Sequence, residues 1–246
     1  MMKQLFIISA LMAIIIAPAA ADDQTVVLEL FTSQGCVACP PADKILAVLA
    51  QDENVVALSW AVDYWDYLGW RDTFGSPENT KRQVDYNTRL GVRGVFTPQV
   101  IINGSDQTVG SRAEEIRDLI RTRREAGGLP VNVAVEGDWE ELRYSIEQAS
   151  DQMSEQSKPL VIRLVWYDAD QIVKIGFGDN GGRELHYTNV VRGTKIIGEW
   201  NGEDMSGVID LADMLAMGVN CVAIILQDGE TGPILGAAKI VLAPIT

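Results

Sequence analysis

The chain has 246 residues, with 20 basic against 34 acidic side chains, a formal charge of −14 and 47% hydrophobic content. These are ordinary globular proportions, and the length suffices for a sizeable core in one large domain or two. The acidic balance argues against nucleic acid and anionic membrane surfaces as partners, because both reward a basic patch. Three cysteines, Cys36, Cys39 and Cys221, leave an odd count to explain.

Met1 to Ala21 reads as a secretory signal: Lys3, the apolar run Leu5 to Ala17, then Pro18-Ala19-Ala20-Ala21 before Asp22-Asp23. The run is short of the roughly 20 residues of a membrane span, and no cysteine follows it to take a lipid. Cleavage after Ala21 would leave 246 − 21 = 225 residues and remove one lysine, giving 19 basic against 34 acidic side chains. The expectation is a periplasmic or secreted protein with no membrane insertion after cleavage.

Thr25 to Phe31 is a β-branched run suited to a buried strand. After Cys39 the period changes: Pro40-Pro41 suits a first helical turn, where the missing amides are no loss, and Ile45, Leu46 and Leu49 recur at helical spacing. Val55 to Trp60 predicts a second strand, and the aromatic segment Val62 to Trp70 follows. Ser76-Pro77-Glu78 opens a helix ending near Gly91. Val95 to Ile102 predicts a strand with a proline near its start, turning at Asn103-Gly104. Ser111 to Glu114 has the form of a capping box before a helix that Gly127-Gly128 ends. This alternation is the pattern of an α/β layer fold.

Beyond Pro130 the pattern changes to short strands, at Val131–Val135, Leu142–Ile146, Leu160–Trp166, Ile172–Phe177, Asn189–Ile197 and Val222–Leu226, with one short helix at Leu211–Met217. The reading is a mostly antiparallel, sandwich-like β module. The expected organisation is a signal at 1–21, an α/β domain at 22–128 and a β-rich domain at 129–246.

Gly35-Cys36-Val37-Ala38-Cys39-Pro40 carries the chemistry. Two cysteines two residues apart at a strand-to-helix junction fall on the first helical turn, close enough for a disulfide. The positive helix end and its free amides would stabilise a Cys36 thiolate below the usual value of about 8.5, making Cys36 the nucleophile, with Cys39 resolving the mixed disulfide. The same spacing is half of a zinc site, but the remaining candidates, Cys221 and the single His186, lie far along the chain. An inert structural disulfide is the other alternative. No cofactor is called for, and one imidazole cannot supply a Ser/His/Asp or multi-histidine site.

The cysteine motif and Gly91 to Pro98, followed by an apolar strand, resemble the thioredoxin superfamily, giving a thioredoxin-like α/β domain followed by the β-rich one. The resemblance implies a cis Thr97–Pro98 bond facing the cysteines, with Thr97 and Pro98 positioning an extended substrate. Phe31–Asp43 (FTSQGCVACPPAD), Val62–Trp70 (VDYWDYLGW) and Gly178–Arg192 (GDNGGRELHYTNVVR) resemble an uncharacterised family of secreted bacterial proteins with a thioredoxin-like domain. Where that family usually carries a histidine before the aromatic block, this chain has Ala61. Glu29 sits roughly where thioredoxins keep a buried acid for proton relay, and a solvated edge carboxylate is the alternative. Asp63 and Trp65 are the expected face of the aromatic block near the cysteines.

His186 is read as structural, Cys221 as a small buried hydrophobe, and the glycine-rich Gly176–Gly182 as a turn, since it lacks the lysine and setting of a phosphate loop. The function expected is an exported thiol-disulfide oxidoreductase whose partners are protein thiols and disulfides. The competing classes are a non-catalytic binding module on the same scaffold and a Cu(I)-handling protein.

Overall fold

The computed structural model describes residues 24–148 and 159–243, so the signal expected at Met1–Ala21 lies outside the described residues. Strand β1 (Val26–Thr32) is buried at every position, Glu29 and Thr32 included. It pairs in parallel with β2 (Val55–Ala61), and α1 (Pro40–Leu49) connects the two. After a single 3-10 turn (Asp66–Leu68), α2 (Pro77–Leu90) starts at Ser76, whose hydroxyl accepts the Asn79 amide 3.1 Å away. Antiparallel β3 (Gln99–Ile102) and β4 (Asp106–Val109) complete this edge before α3 (Ala113–Glu125). The expected capping box at Ser111 does not form; the cap position is Arg112, with no side-chain hydrogen bond.

Past residue 128 come β5 (Val131–Gly137), β6 (Leu142–Gln148), β7 (Leu160–Lys174), β8 (Glu184–Trp200), β9 (Met205–Val208), α4 (Ala212–Met217), β10 (Cys221–Gln227) and β11 (Ile234–Val241). Two readings are corrected here. The separate strands expected at Leu160–Trp166 and Ile172–Phe177 are one long β7, and β8 begins at Glu184 rather than Asn189. The polar Asp168 between them reads as a turn, but it stays in the ribbon because β8 supplies Arg192, 2.6 Å away, as its partner.

One sheet takes strands from either side of the boundary expected at 128/129: eight strands run in the order β11-β10-β7-β8-β2-β1-β3-β4. The join is β8 against β2, through Ser59 and Val190. Beside it Asn189 adopts a left-handed backbone, φ 52°, a conformation Asn tolerates, and gives its amide to the Ala57 carbonyl at 2.8 Å. The fold is therefore mixed α/β, with one large, mostly antiparallel sheet and a second sheet of order β5-β6-β9.

Strand alternation divides the core into layers. On one face of β1, Val26, Leu28 and Leu30 pack with Ala42 and Leu46 of α1 and Ile116 and Ile120 of α3. On the other, Val27 and Phe31 pack with Trp60 and Tyr86, and this core continues through Val165 to Cys221, Ala223 and Ile225. The alternate residues of β10, Val222, Ile224 and Leu226, face the small sheet.

Candidate active site

Cys36 and Cys39 form a disulfide with Cα atoms 5.4 Å apart. Its setting differs from the expected one in a way that matters for chemistry. Cys39 is the N-cap of α1, so the pair precedes the helix instead of occupying its first turn. Prolines at the next two positions have no amides to offer, and the amides of Ala42 and Asp43 fold back onto the Cys39 carbonyl at 2.8 and 3.1 Å. The backbone amides of this first turn are thus not free to face the sulfurs, which leaves the helix dipole as the electrostatic influence of α1 on the pair. Both sulfurs are covered: Cys36 is 2% and Cys39 0% exposed, although Val37 between them is 58% exposed.

The Thr97–Pro98 peptide bond is cis. Pro98 reaches the cysteine helix at Gly110, where an added Cβ would come within 2.9 Å of Leu30, 3.0 Å of Pro98 and 3.1 Å of Ala42, so only glycine lets these three meet. Trp65 ties the proline loop to the cysteine loop. Its indole nitrogen donates to the Thr97 hydroxyl at 2.7 Å, and its Cβ lies 3.0 Å from where a Cβ of Gly35 would stand. Asp63 does not join them; it accepts the Thr80 hydroxyl at 2.6 Å and anchors α2.

Glu29 is buried, but on the wrong face for a relay. Alternation along β1 places it with Val27 and Phe31, away from the face that packs on α1. Arg82 binds its carboxylate at 2.7 Å, and the Tyr86 hydroxyl donates to its other oxygen. It is neither a solvated edge group nor a neighbour of the disulfide. The acid on the cysteine side is Asp43, four residues beyond Cys39 and so on the same helical face. It is buried, accepts the Thr32 hydroxyl at 2.8 Å and has no basic partner among the described residues; burial, with Asp72 nearby, pushes its carboxyl up to about 8. Burial likewise raises Asp72, which accepts the Gln34 amide at 2.7 Å.

A residue with no local signal to single it out is Asn180, in the glycine-rich turn between β7 and β8. Its side-chain amide donates to the carbonyls of Gln34 at 2.9 Å and Cys36 at 3.0 Å, across 144 residues of chain. Arg183 holds the amide oxygen at 2.6 Å. The turn rests on Trp70, whose ring lies 2.9 Å from where a Cβ of Gly176 would be and whose nitrogen donates to the Gln34 side chain at 2.8 Å. Polar residues in a turn carry no periodicity, so the only available signal was the co-occurrence of the three blocks, which converge here.

Cys221 is free and buried on β10, and burial pushes its thiol up to about 11. The His186 side chain is 64% exposed on β8. Neither approaches the pair, and among the described residues no group of three or more His, Cys, Asp or Glu side chains is arranged to hold a metal ion. No helix among the described residues is long and apolar enough to cross a membrane.

Comparison with known proteins agrees with this geometry. The chain is 32% identical over 97 residues to a probable thioredoxin of Archaeoglobus fulgidus, a match covering 39% of this chain and 87% of the relative. An X-ray structure of a protein from Agrobacterium tumefaciens superposes with a TM-score of 0.77 at 31% identity, covering 90% of this chain and 96% of that one. HBP35 of Porphyromonas gingivalis shares the fold, with a TM-score of 0.60 at 18% identity over 89% of this chain and 75% of that one. A family model described as protein of unknown function (DUF1223) matches residues 27–227, so the chain belongs to that family.

Proposed function

We propose that this protein is an exported thiol-disulfide oxidoreductase of the bacterial cell envelope or its surroundings. The observation that carries the reading is the Cys36–Cys39 disulfide at the mouth of α1, with the cis Thr97–Pro98 loop tied to it by Trp65. The likeness to a probable thioredoxin supports it, and the text of Met1–Ala21 supports export.

In the reducing direction the Cys36 thiolate attacks one sulfur of a client disulfide, forming a mixed disulfide and expelling the first client thiolate. Cys39 then loses its proton and attacks the Cys36 sulfur, which restores the Cys36–Cys39 disulfide and releases the second client thiolate. Two electrons pass from the protein dithiol to the client; running the steps backwards oxidises a client dithiol. Thr97 and Pro98 would position the client chain, and Asp43 is the buried carboxyl nearest in the helix to take the Cys39 proton. An acid pushed up to about 8 is well matched to a thiol.

Burial of both sulfurs favours the second reading, a binding module that keeps the disulfide as a staple. The two separate cleanly by experiment. The mature chain should reduce insulin with dithiothreitol as electron source, and Cys36→Ser should lose that activity at least a hundredfold. A reduction potential below about −300 mV together with no insulin reduction would establish the staple instead.

A further inference from the structure

We propose that Asn180, from the β-rich half, is a positioning residue of the disulfide centre that sets its redox equilibrium by favouring the bonded form. The inference rests on reading Cys36–Cys39 as the exchange centre. The sulfurs must move apart when their bond breaks. Cys39 is fixed as the first anchor of α1, with its carbonyl holding the amides of Ala42 and Asp43. The part free to move is therefore the loop carrying Cys36. Asn180 grips that loop at two carbonyls, Gln34 and Cys36, and it cannot follow a displacement. It is 1% exposed, its amide oxygen is held by Arg183, and its turn is seated on Trp70 through Gly176 and Gly178.

The fork is thus matched to the loop as it stands with the sulfurs joined. By reciprocity, whatever the disulfide contributes to the fork, the fork contributes to the disulfide. Gln34 reinforces the grip from the opposite side, since its backbone amide binds Asp72 and its side chain spans Trp70 and Thr73 at 2.8 Å each. The turn from the second half of the chain is in this sense part of the redox site, and it explains why the three sequence blocks occur together.

The experiment is redox equilibration of the mature chain against dithiothreitol, in which two electrons and two protons pass from the reagent's dithiol to the Cys36–Cys39 disulfide. The fraction of protein dithiol is read by alkylation and mass. Asn180→Ala should shift the equilibrium about tenfold toward the dithiol, a rise of about 30 mV in potential. Arg183→Ala, a surface change that only frees the amide, should shift it about threefold the same way. Urea unfolding should show the oxidised form of Asn180→Ala losing more stability than its reduced form.

An unchanged equilibrium constant, with both forms weakened equally, would overturn the proposal and leave Asn180 as packing alone. If Asn180→Ala does not fold, the Arg183→Ala equilibrium decides. Failure of wild type to reduce insulin would end the exchange reading separately, because the equilibrium measurement needs only the cysteine couple.

Discussion

A buried carboxylate lies on each side of strand β1, Glu29 from the strand itself and Asp43 from helix α1, and the two surroundings treat it differently. On the α2 side, Glu29 is enclosed by Arg82 and Tyr86, and Arg82 goes on to the Glu230 carbonyl at 2.8 Å and Gln227 at 3.1 Å. On the α1 side, Asp43 has a threonine hydroxyl and no cation. Both acids are buried, yet the first is neutralised by a partner while the second is driven toward its neutral form. A cation beside a buried carboxylate offsets the cost of its charge, whereas at Asp43 burial acts without that offset and pushes the carboxyl up to about 8.

The comparison is broken most severely by removing the cation. Arg82→Met leaves Glu29 buried without a counter-charge and should lower stability by about 3–5 kcal/mol, read by urea unfolding at pH 7. The double change with Glu29→Gln should recover a large part of it. If Arg82→Met alone costs under about 1 kcal/mol, the Glu29 face is not the closed ion pair described here.

Asp43 should behave in the opposite sense. Its folded carboxyl titrates near 8 and the unfolded one near 3.8, so between those values the folded chain binds the extra proton and stability falls as pH rises. The slope is at most about 1.4 kcal/mol per pH unit. Asp43→Asn should remove that slope, so the variant overtakes wild type in melting temperature as pH goes from 5 to 8. It should also flatten the pH profile of insulin reduction in the same interval. Parallel stability curves for the two proteins would show that Asp43 is already ionised when folded.

Smaller effects test how the faces connect to the rest of the molecule. Trp65→Phe keeps the Cβ beside Gly35 but deletes the bond to Thr97, and should cost about 1 kcal/mol while reducing kcat/KM for insulin severalfold. Cys221 shares the Glu29 face. Its raised thiol predicts no reaction with a thiol reagent at pH 8 until the chain is unfolded, and Cys221→Ala should leave insulin reduction unchanged. Rapid labelling of the folded chain would put Cys221 outside the core.

Much of the first half could be read directly. The apolar, valine-led text of β1 and β2 and the serine and proline opening α2 are local signals found where they were expected; the two-residue spacing of the cysteines gives the disulfide, although the pair lies just before the helix and not in its first turn. The Trp65 contact also follows from the aromatic block lying between the cysteines and Pro98. Two acids were less legible. Glu29 differs from the thioredoxin acid position by a single residue, and in a strand one residue is the difference between opposite faces. Nothing in the local sequence marks the burial of Asp43, which depends on the sheet that α1 packs against.

The disulfide pair, the cis proline and their flanking strands were legible in the chain, because they are short-range features with fixed geometry. The burial of Cys221 was legible too, from the apolar run around it. That one sheet takes strands from both halves of the chain came from the three-dimensional structure. Pairing of β8 with β2, and the reach of Asn180 to the Cys36 carbonyl, join residues more than a hundred positions apart. Such contacts depend on how the layers close over their apolar faces, a cooperative outcome that no local spacing encodes.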